Sequence, residues 1–142
     1  MSNYEEDLRQ QFKDEFDAGH VREVGESIDV FSGLAKLYPT MGSKIDWNRV
    51  PRAVERVEGD ISLQAMRFVT FFDEMCSRFE LSGPVLYVGD SATEFALEGA
   101  MDAMRRILGA LIEIPQHHYF IGPNYLWCIS MTMEGDMAFG FR

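Results

Sequence analysis

The 142-residue sequence is short of cysteine, of positive charge and of long apolar runs. Its two cysteines, Cys76 and Cys128, sit in apolar patterns without CxxC spacing. That usage excludes a disulfide framework and points to buried free thiols in a cytoplasmic protein. No apolar run approaches the roughly eighteen residues of a membrane span. The opening stretch Met1 to Asp7 is acidic and lacks the apolar core of a signal peptide. Only 13 Lys and Arg stand against 23 Asp and Glu, a formal charge of −10. Without basic patches, nucleic acid and anionic membranes are not expected as partners. A basic partner would be attracted, although solubility alone also accounts for such a surplus.

What is present is ordinary for a globular chain, 46% hydrophobic and 25% charged residues, which fits one domain spanning 1–142. The charge is uneven: nine acids against three bases over 1–30, balance over 31–82, and seven against three over 83–142. The spacing of Tyr4, Leu8, Phe12 and Phe16 predicts a first helix over 3–18. Asn3 is its candidate cap, and Glu5, Glu6 and Asp7 favour its N-terminal dipole. Gly19-His20 ends it, with His20 read as a dipole partner. Val30, Phe31, Leu34, Ala35 and Leu37 suggest a short helix over 27–37. Asp46 to Pro51 reads as a turn, with Trp47 as core anchor, feeding a helix to Val57. Arg49, Arg52 and Arg56 would then share one face, paired with Asp46, Glu55 and Glu58 more readily than with a phosphate. The strongest helical pattern covers 62–80, where Phe68, Phe72, Met75 and Phe79 lead a broad apolar arc suited to a central core helix.

Residues 84–88 predict a strand, and Ser91 with Glu94 form a capping box that opens a helix over 92–112. A phosphate site at this junction is excluded, because the glycine pattern is missing and Asp90 and Glu94 already place negative charge there. On that helix Asp90, Glu94, Glu98 and Asp102 recur every four residues. Like charges at this spacing cost about 0.2–0.5 kcal/mol per pair, and only the first two acids gain much from the dipole. The stripe is either a solvated face or a docking surface that imitates a phosphate backbone and enters a basic cleft.

The last quarter of the chain predicts three strands joined by two tight turns. His117 to Ile121 forms the first, and Gly122-Pro123-Asn124 turns it. Tyr125, Trp127, Ile129, Met131 and Met133 line one face of the second. Glu134-Gly135-Asp136 leads into the third, ending at Phe141. The run Pro115-Gln-His-His-Tyr-Phe120, then Trp127-Cys128 before Met133-Glu134-Gly135, resembles the C-terminal part of a family of bacterial immunity proteins. Those proteins protect a cell from the toxin domain of a contact-dependent growth inhibition system. The resemblance covers about the last fifty residues well and the first eighty loosely. It implies a cytoplasmic protein that binds and neutralises a cognate toxin C-terminal domain, and many such toxins are nucleases with basic clefts.

Catalytic candidates are few: His117, His118, Cys128, Asp90, Glu134 and Asp136. Adjacent histidines on a strand face opposite ways, so His117 and His118 do not share a metal. A Cys128–His118 pair is open across neighbouring strands, but Cys128 lies inside a strand rather than where a thiolate is favoured. No cofactor, metal site or enzyme activity is expected. The expected fold is α+β: a helical N-terminal half on a roughly four-stranded sheet ending in an antiparallel meander. Strands 84–88 and 117–121 would run parallel through a helical crossover. The expected function is occlusion of a toxin active site, with Asp90, Glu94, Glu98 and Asp102 as contacts. The alternative is a regulatory domain binding a small molecule in an aromatic pocket near Tyr119, Tyr125 and Trp127.

Overall fold

Seven strands in the order β1-β6-β5-β7-β8-β9-β4, every neighbouring pair antiparallel, form the sheet on which the chain is built. This is the arrangement in the computed structural model, which describes residues 3–142. The strands are β1 (Val21–Glu26), β4 (Val54–Val57), β5 (Val85–Gly89), β6 (Phe95–Gly99), β7 (His118–Ile121), β8 (Trp127–Met131) and β9 (Asp136–Phe141). A separate hairpin pairs β2 (Thr40–Met41) with β3 (Lys44–Ile45). Five α-helices appear among the described residues: α1 (Asn3–Gln11), α2 (Lys13–Asp17), α3 (Ser27–Leu37), α4 (Ile61–Arg78) and α5 (Met101–Ile112).

The sheet is covered on both faces, because alternation along each inner strand sends apolar side chains both ways. Tyr87, Leu97, Phe120, Ile129 and Phe139 pack under α4 and α5 in the larger core. Val88, Ala96, Tyr119, Ile121 and Cys128 pack on the other face with α3 and the β2–β3 hairpin. The centre of the larger core is aromatic: Phe120 lies 5.7 Å from Phe68 and 5.5 Å from Phe72 between ring centroids. Truncating such a ring to alanine costs about 3–5 kcal/mol.

Periodic patterns are faithfully expressed where the residues are buried. Helix α3 spans the expected 27–37, and α4 runs over 61–78 with Phe68, Phe71, Phe72 and Met75 buried. Its N-cap is Asp60, whose side chain accepts the Ser62 N–H at 3.0 Å. Ile61, the first residue of the helix, is 83% exposed. The three-strand meander at the C-terminus is present as β7, β8 and β9. Gly135 in its second turn has φ of +89°, which glycine adopts freely.

Several expectations are corrected. The first helix is two helices, because Phe12 leaves helical geometry at φ −116° and ψ 33°. A four-residue stripe drifts around a 3.6-residue helix, and the break lets both Phe12 and Phe16 rest on the core. Asn3 lies within α1 rather than capping it. Gly19 (φ +77°) ends α2, and His20 Nδ1 lies 2.9 Å from Glu15. The helix expected to reach Val57 is a 3-10 turn at Trp47–Arg49 followed by strand β4. Arg52 takes φ of +61°, so Arg49, Arg52 and Arg56 share no helical face. Arg56 instead grips Glu74 of α4 through two 2.6 Å bonds. The N-terminal half is therefore not purely helical, and the sheet has seven strands rather than four.

The largest correction concerns 92–112. Residues 95–99 form strand β6, held between β1 and β5, and helix begins only at Met101. The Ser91–Glu94 capping box therefore does not exist. Inserting β6 also changes the expected parallel pair: β5 and β7 are antiparallel neighbours. The crossover through α5 links β6 to β7, which lie on either side of β5.

Candidate partner-binding site

The four acids expected on one helix are dispersed. Asp90 lies in the loop after β5, where its Oδ1 accepts the His117 N–H at 2.9 Å and the Ser91 hydroxyl at 3.1 Å. Glu94 stands at the entrance to β6 and is exposed. Its backbone carbonyl accepts the Ser27 N–H at 2.8 Å. Glu98 is on β6 and pairs with Arg22 of the adjacent edge strand. Asp102 is in the first turn of α5, accepting the Ala103 N–H at 2.9 Å, with Arg106 3.6 Å away. Residues four apart on a strand share a face but stand about 13 Å apart, so Glu94 and Glu98 do not act as a helical pair. Asp102 belongs to the layer on the opposite side of the sheet.

The catalytic candidates also separate. His117 and His118 face opposite ways, as strand alternation requires. His117 Nδ1 accepts the Met133 N–H at 3.0 Å, while its Nε2 is 3.9 Å from Asp90. Glu134 is committed to Lys44 at 2.6 Å, which lowers the pKa of the carboxyl and raises that of the ammonium. Asp136 closes its own turn, its N–H donating to Thr132 Oγ1 at 3.2 Å. Cys128 is fully buried, and desolvation pushes its thiol pKa up. It pairs with Ile121 in the sheet and packs in the core under α3, whereas His118 points to Tyr87 on the other side. A Cys128–His118 nucleophile pair is excluded by that geometry. Among the described residues, no three His, Cys, Asp or Glu are placed to hold one metal ion.

A buried polar network went unrecognised in the sequence. Gln116, 1% exposed, accepts the N–H groups of Ser91, Ala92 and Thr93 on its side-chain oxygen at 3.3, 2.8 and 3.2 Å. Its amide donates to the Tyr87 and Thr93 hydroxyls, both at 2.9 Å. The Tyr87 hydroxyl in turn lies 2.7 Å from His118 Nδ1. Burial is the main cause that lowers the His118 pKa to about 4 and raises that of Tyr87. This network fixes the 90–94 loop and hence the position of Asp90 and Glu94. Its only sequence signal is a polar residue beside a strand otherwise made of core types.

Comparison with protein-family models and with curated proteins gives no match.

The three residues expected around an aromatic pocket do not share one face: Tyr119 and Tyr125 pack on the α3 side of the sheet and Trp127 in the larger core on the other. Tyr119 is 1% exposed and uses its hydroxyl to hold the hairpin, donating to the Ser43 carbonyl at 2.8 Å. A different concavity lies beside it, between α3 and the β2–β3 hairpin, with a volume of about 310 Å³. Ile28, Phe31, Leu34, Ala35 and Ile45 supply its apolar walls, and Ser27, Thr40, Ser43, Lys44 and Asp90 its polar edge. Phe31 is fixed by an edge contact on Tyr119, with centroids 4.9 Å apart at 82°. Ser43 Oγ is 3.5 Å from the Asp90 carboxylate.

Asp90 is the acid that lines this cleft, and others lie near the same end of the sheet. Glu26 pairs in register with Phe95, and Ser27, which lines the cleft, donates to the carbonyl of Glu94. Asp29 follows one residue after Ile28. Glu5 reaches the same end from α1 and accepts the N–H groups of Glu94 and Phe95 at 2.8 and 2.9 Å. Sheet order brings Glu26, Asp90 and Glu94 to one end of the sheet, with Glu26 on the face that Phe95 shares with α4 and α5, opposite the cleft.

Proposed function

We propose that this chain is an immunity protein, a non-enzymatic inhibitor that binds the C-terminal toxin domain of a contact-dependent growth inhibition system. Its partner is a basic domain, a nuclease by the chemistry such acids would complement, and its workplace is the cytoplasm of the protected cell. The observation that carries the assignment is the gathering of acids at one end of the sheet, where Glu26 closes β1, Asp90 follows β5 and Glu94 precedes β6. The meander's resemblance to immunity proteins supports it independently.

Inhibition follows from electrostatics and exclusion. Exposed carboxylates such as that of Glu94 occupy a basic cleft in place of substrate phosphates, and complementary charge accelerates the encounter. Asp90 and Glu94 are retained from the expected contact set. Glu98, tied to Arg22, and Asp102, on the α5 side, are left outside the contact face. Neither nucleic acid nor membrane is a partner in this scheme, and no cofactor takes part.

The test is co-expression with the C-terminal domain encoded directly upstream. Growth restored by this chain, with a complex that co-purifies, is the expected result. A neighbour that is harmless alone, or that kills regardless while no complex forms, would overturn the assignment.

A further inference from the structure

Ion pairing leaves the positive charge of this chain unevenly placed. Eight of its 13 Lys and Arg side chains are paired with carboxylates. The other five, Lys36, Arg49, Arg52, Arg78 and Arg142, are exposed and form no ion pair among the described residues. Asp46, Glu55 and Glu80, which neighbour them along the chain, pair with none of them among the described residues. All five lie toward the end of the sheet opposite Asp90 and Glu94, where β7 ends, β8 begins and β9 ends.

Contacts gather them around the tip of β9. Arg78 lies over the Phe79 ring, 5.0 Å from its centroid, and Phe79 meets Phe141 at 5.8 Å. Arg142 follows Phe141, and its Nε donates to the Asn124 carbonyl at 3.2 Å. The Tyr38 hydroxyl donates to the Tyr125 carbonyl at 2.9 Å, which ties the C-terminal end of α3, with Lys36, to the same turn. Val50 lies close over Gly140 of β9, and Arg49 and Arg52 flank it along the chain. Leu37, Leu126 and Phe141 stand exposed among these cations. The backbone here is also held against its preference, with φ of +56° at Asn124, +59° at Tyr125 and +61° at Arg52. Left-handed conformations at non-glycine residues recur where a loop is fixed for binding.

The unpaired charge selects the occupant. Carboxylates complement free Arg and Lys, and apolar side chains complement Leu37, Leu126 and Phe141. A nucleic acid or an anionic membrane carries charge dense enough to be repelled by a chain of formal charge −10. We infer that this end of the sheet docks an acidic segment of a protein partner, with apolar side chains between its carboxylates. The surface is separate from the acidic end that meets the toxin domain, and the inference does not rest on the immunity assignment.

The probes are short synthetic peptides of repeating Glu-Glu-Leu, Gln-Gln-Leu and Lys-Lys-Leu units, titrated into the isotope-labelled chain and followed by amide chemical shifts. The Glu-Glu-Leu peptide should shift residues 36–38, 49–53, 124–127 and 141–142. The Gln-Gln-Leu peptide should bind about tenfold more weakly or less, and the Lys-Lys-Leu peptide should leave these residues unmoved. The double variant Arg49→Gln, Arg52→Gln and the single variant Leu126→Ser should each weaken the Glu-Glu-Leu peptide several-fold. The double variant Lys13→Gln, Arg67→Gln removes the same charge from ion pairs elsewhere and should match wild type. Circular dichroism and urea midpoints confirm that each variant is folded.

Shifts that are absent or scattered over the surface overturn the inference, as does an affinity indifferent to Arg49→Gln, Arg52→Gln. Equal binding of the Gln-Gln-Leu peptide overturns selection by charge. A single-stranded oligonucleotide or a phosphatidylserine vesicle that binds this end more tightly than the Glu-Glu-Leu peptide overturns a protein segment as the occupant. Each of these results leaves the immunity assignment to the toxin co-expression.

Discussion

The Tyr87 hydroxyl lies 2.7 Å from His118 Nδ1 in the interior, with His118 only 2% exposed. Burial holds the imidazole neutral, with its pKa lowered from 6.5 to about 4. In the unfolded chain the ring takes up its proton near pH 6.5. Between those limits the unfolded state binds more protons, so stability is full above the window and falls as pH drops through it. The span corresponds to roughly 3 kcal/mol. His118→Gln should lower stability at pH 7 but flatten the wild-type decline between pH 6.5 and 4. Glu15, held at about 2 by Arg106 and His20, loses its contribution below pH 4.5 in both proteins. Urea midpoints at pH 7.5, 5.5 and 4.5 check this, and parallel curves for the two proteins would contradict it.

Gln116→Ala should destabilise the fold by about 2–4 kcal/mol, because several buried polar groups lose a partner at once. Gln116→Glu should be at least as costly near neutral pH. It keeps the acceptor but loses the donations to Tyr87 and Thr93 and buries a charge. Denaturant unfolding with an unchanged slope is the measurement. A loss below about 0.5 kcal/mol for both variants would show that the network does not hold the 90–94 loop.

Burial raises the thiol pKa of Cys76 to about 11 and that of Cys128 further. Thiolate is the reactive form, so both should resist a thiol reagent at pH 8 in the native protein. Cys128 should remain unmodified for hours and Cys76, partly accessible, should react slowly. Both should react at once in denaturant. Rapid native labelling of Cys128 would contradict its placement in the core.

Strand β4 is an edge strand, tied to α4 by Arg56 and Glu74. Both side chains are substantially exposed, so Arg56→Ala should cost less than about 1 kcal/mol globally. Amide exchange at residues 54–57 should nevertheless quicken, since local opening needs only the β9 pairing to yield. Unchanged exchange there would show that the ion pair does not restrain the edge.

The C-terminal meander, α3 and α4 were legible because burial enforces their periods. The acidic stripe was misread for a definable reason. Phe95-Ala-Leu-Glu is built from good helix formers, and acids recur every four residues on either side. Pairing with β1 and β5 overrode that propensity, since only an extended chain sends Phe95 and Leu97 to one core and Ala96 to the other. The available signals were the period-two alternation of Phe95 and Leu97 and the break at Gly99. Strand β1 left a weaker trace, because five of its six residues are exposed. The candidate site was legible only in part: Asp90 and Glu94 were named, but the cleft depends on a hairpin whose two-residue strands carry almost no pattern.

The most direct measurement is the association of the purified chain with the purified upstream toxin domain at low and high salt. An acidic face meeting a basic cleft predicts a stable one-to-one complex whose association rate falls about tenfold or more between roughly 0.05 and 0.5 M salt. Absence of a complex, or an association rate indifferent to salt, would contradict it.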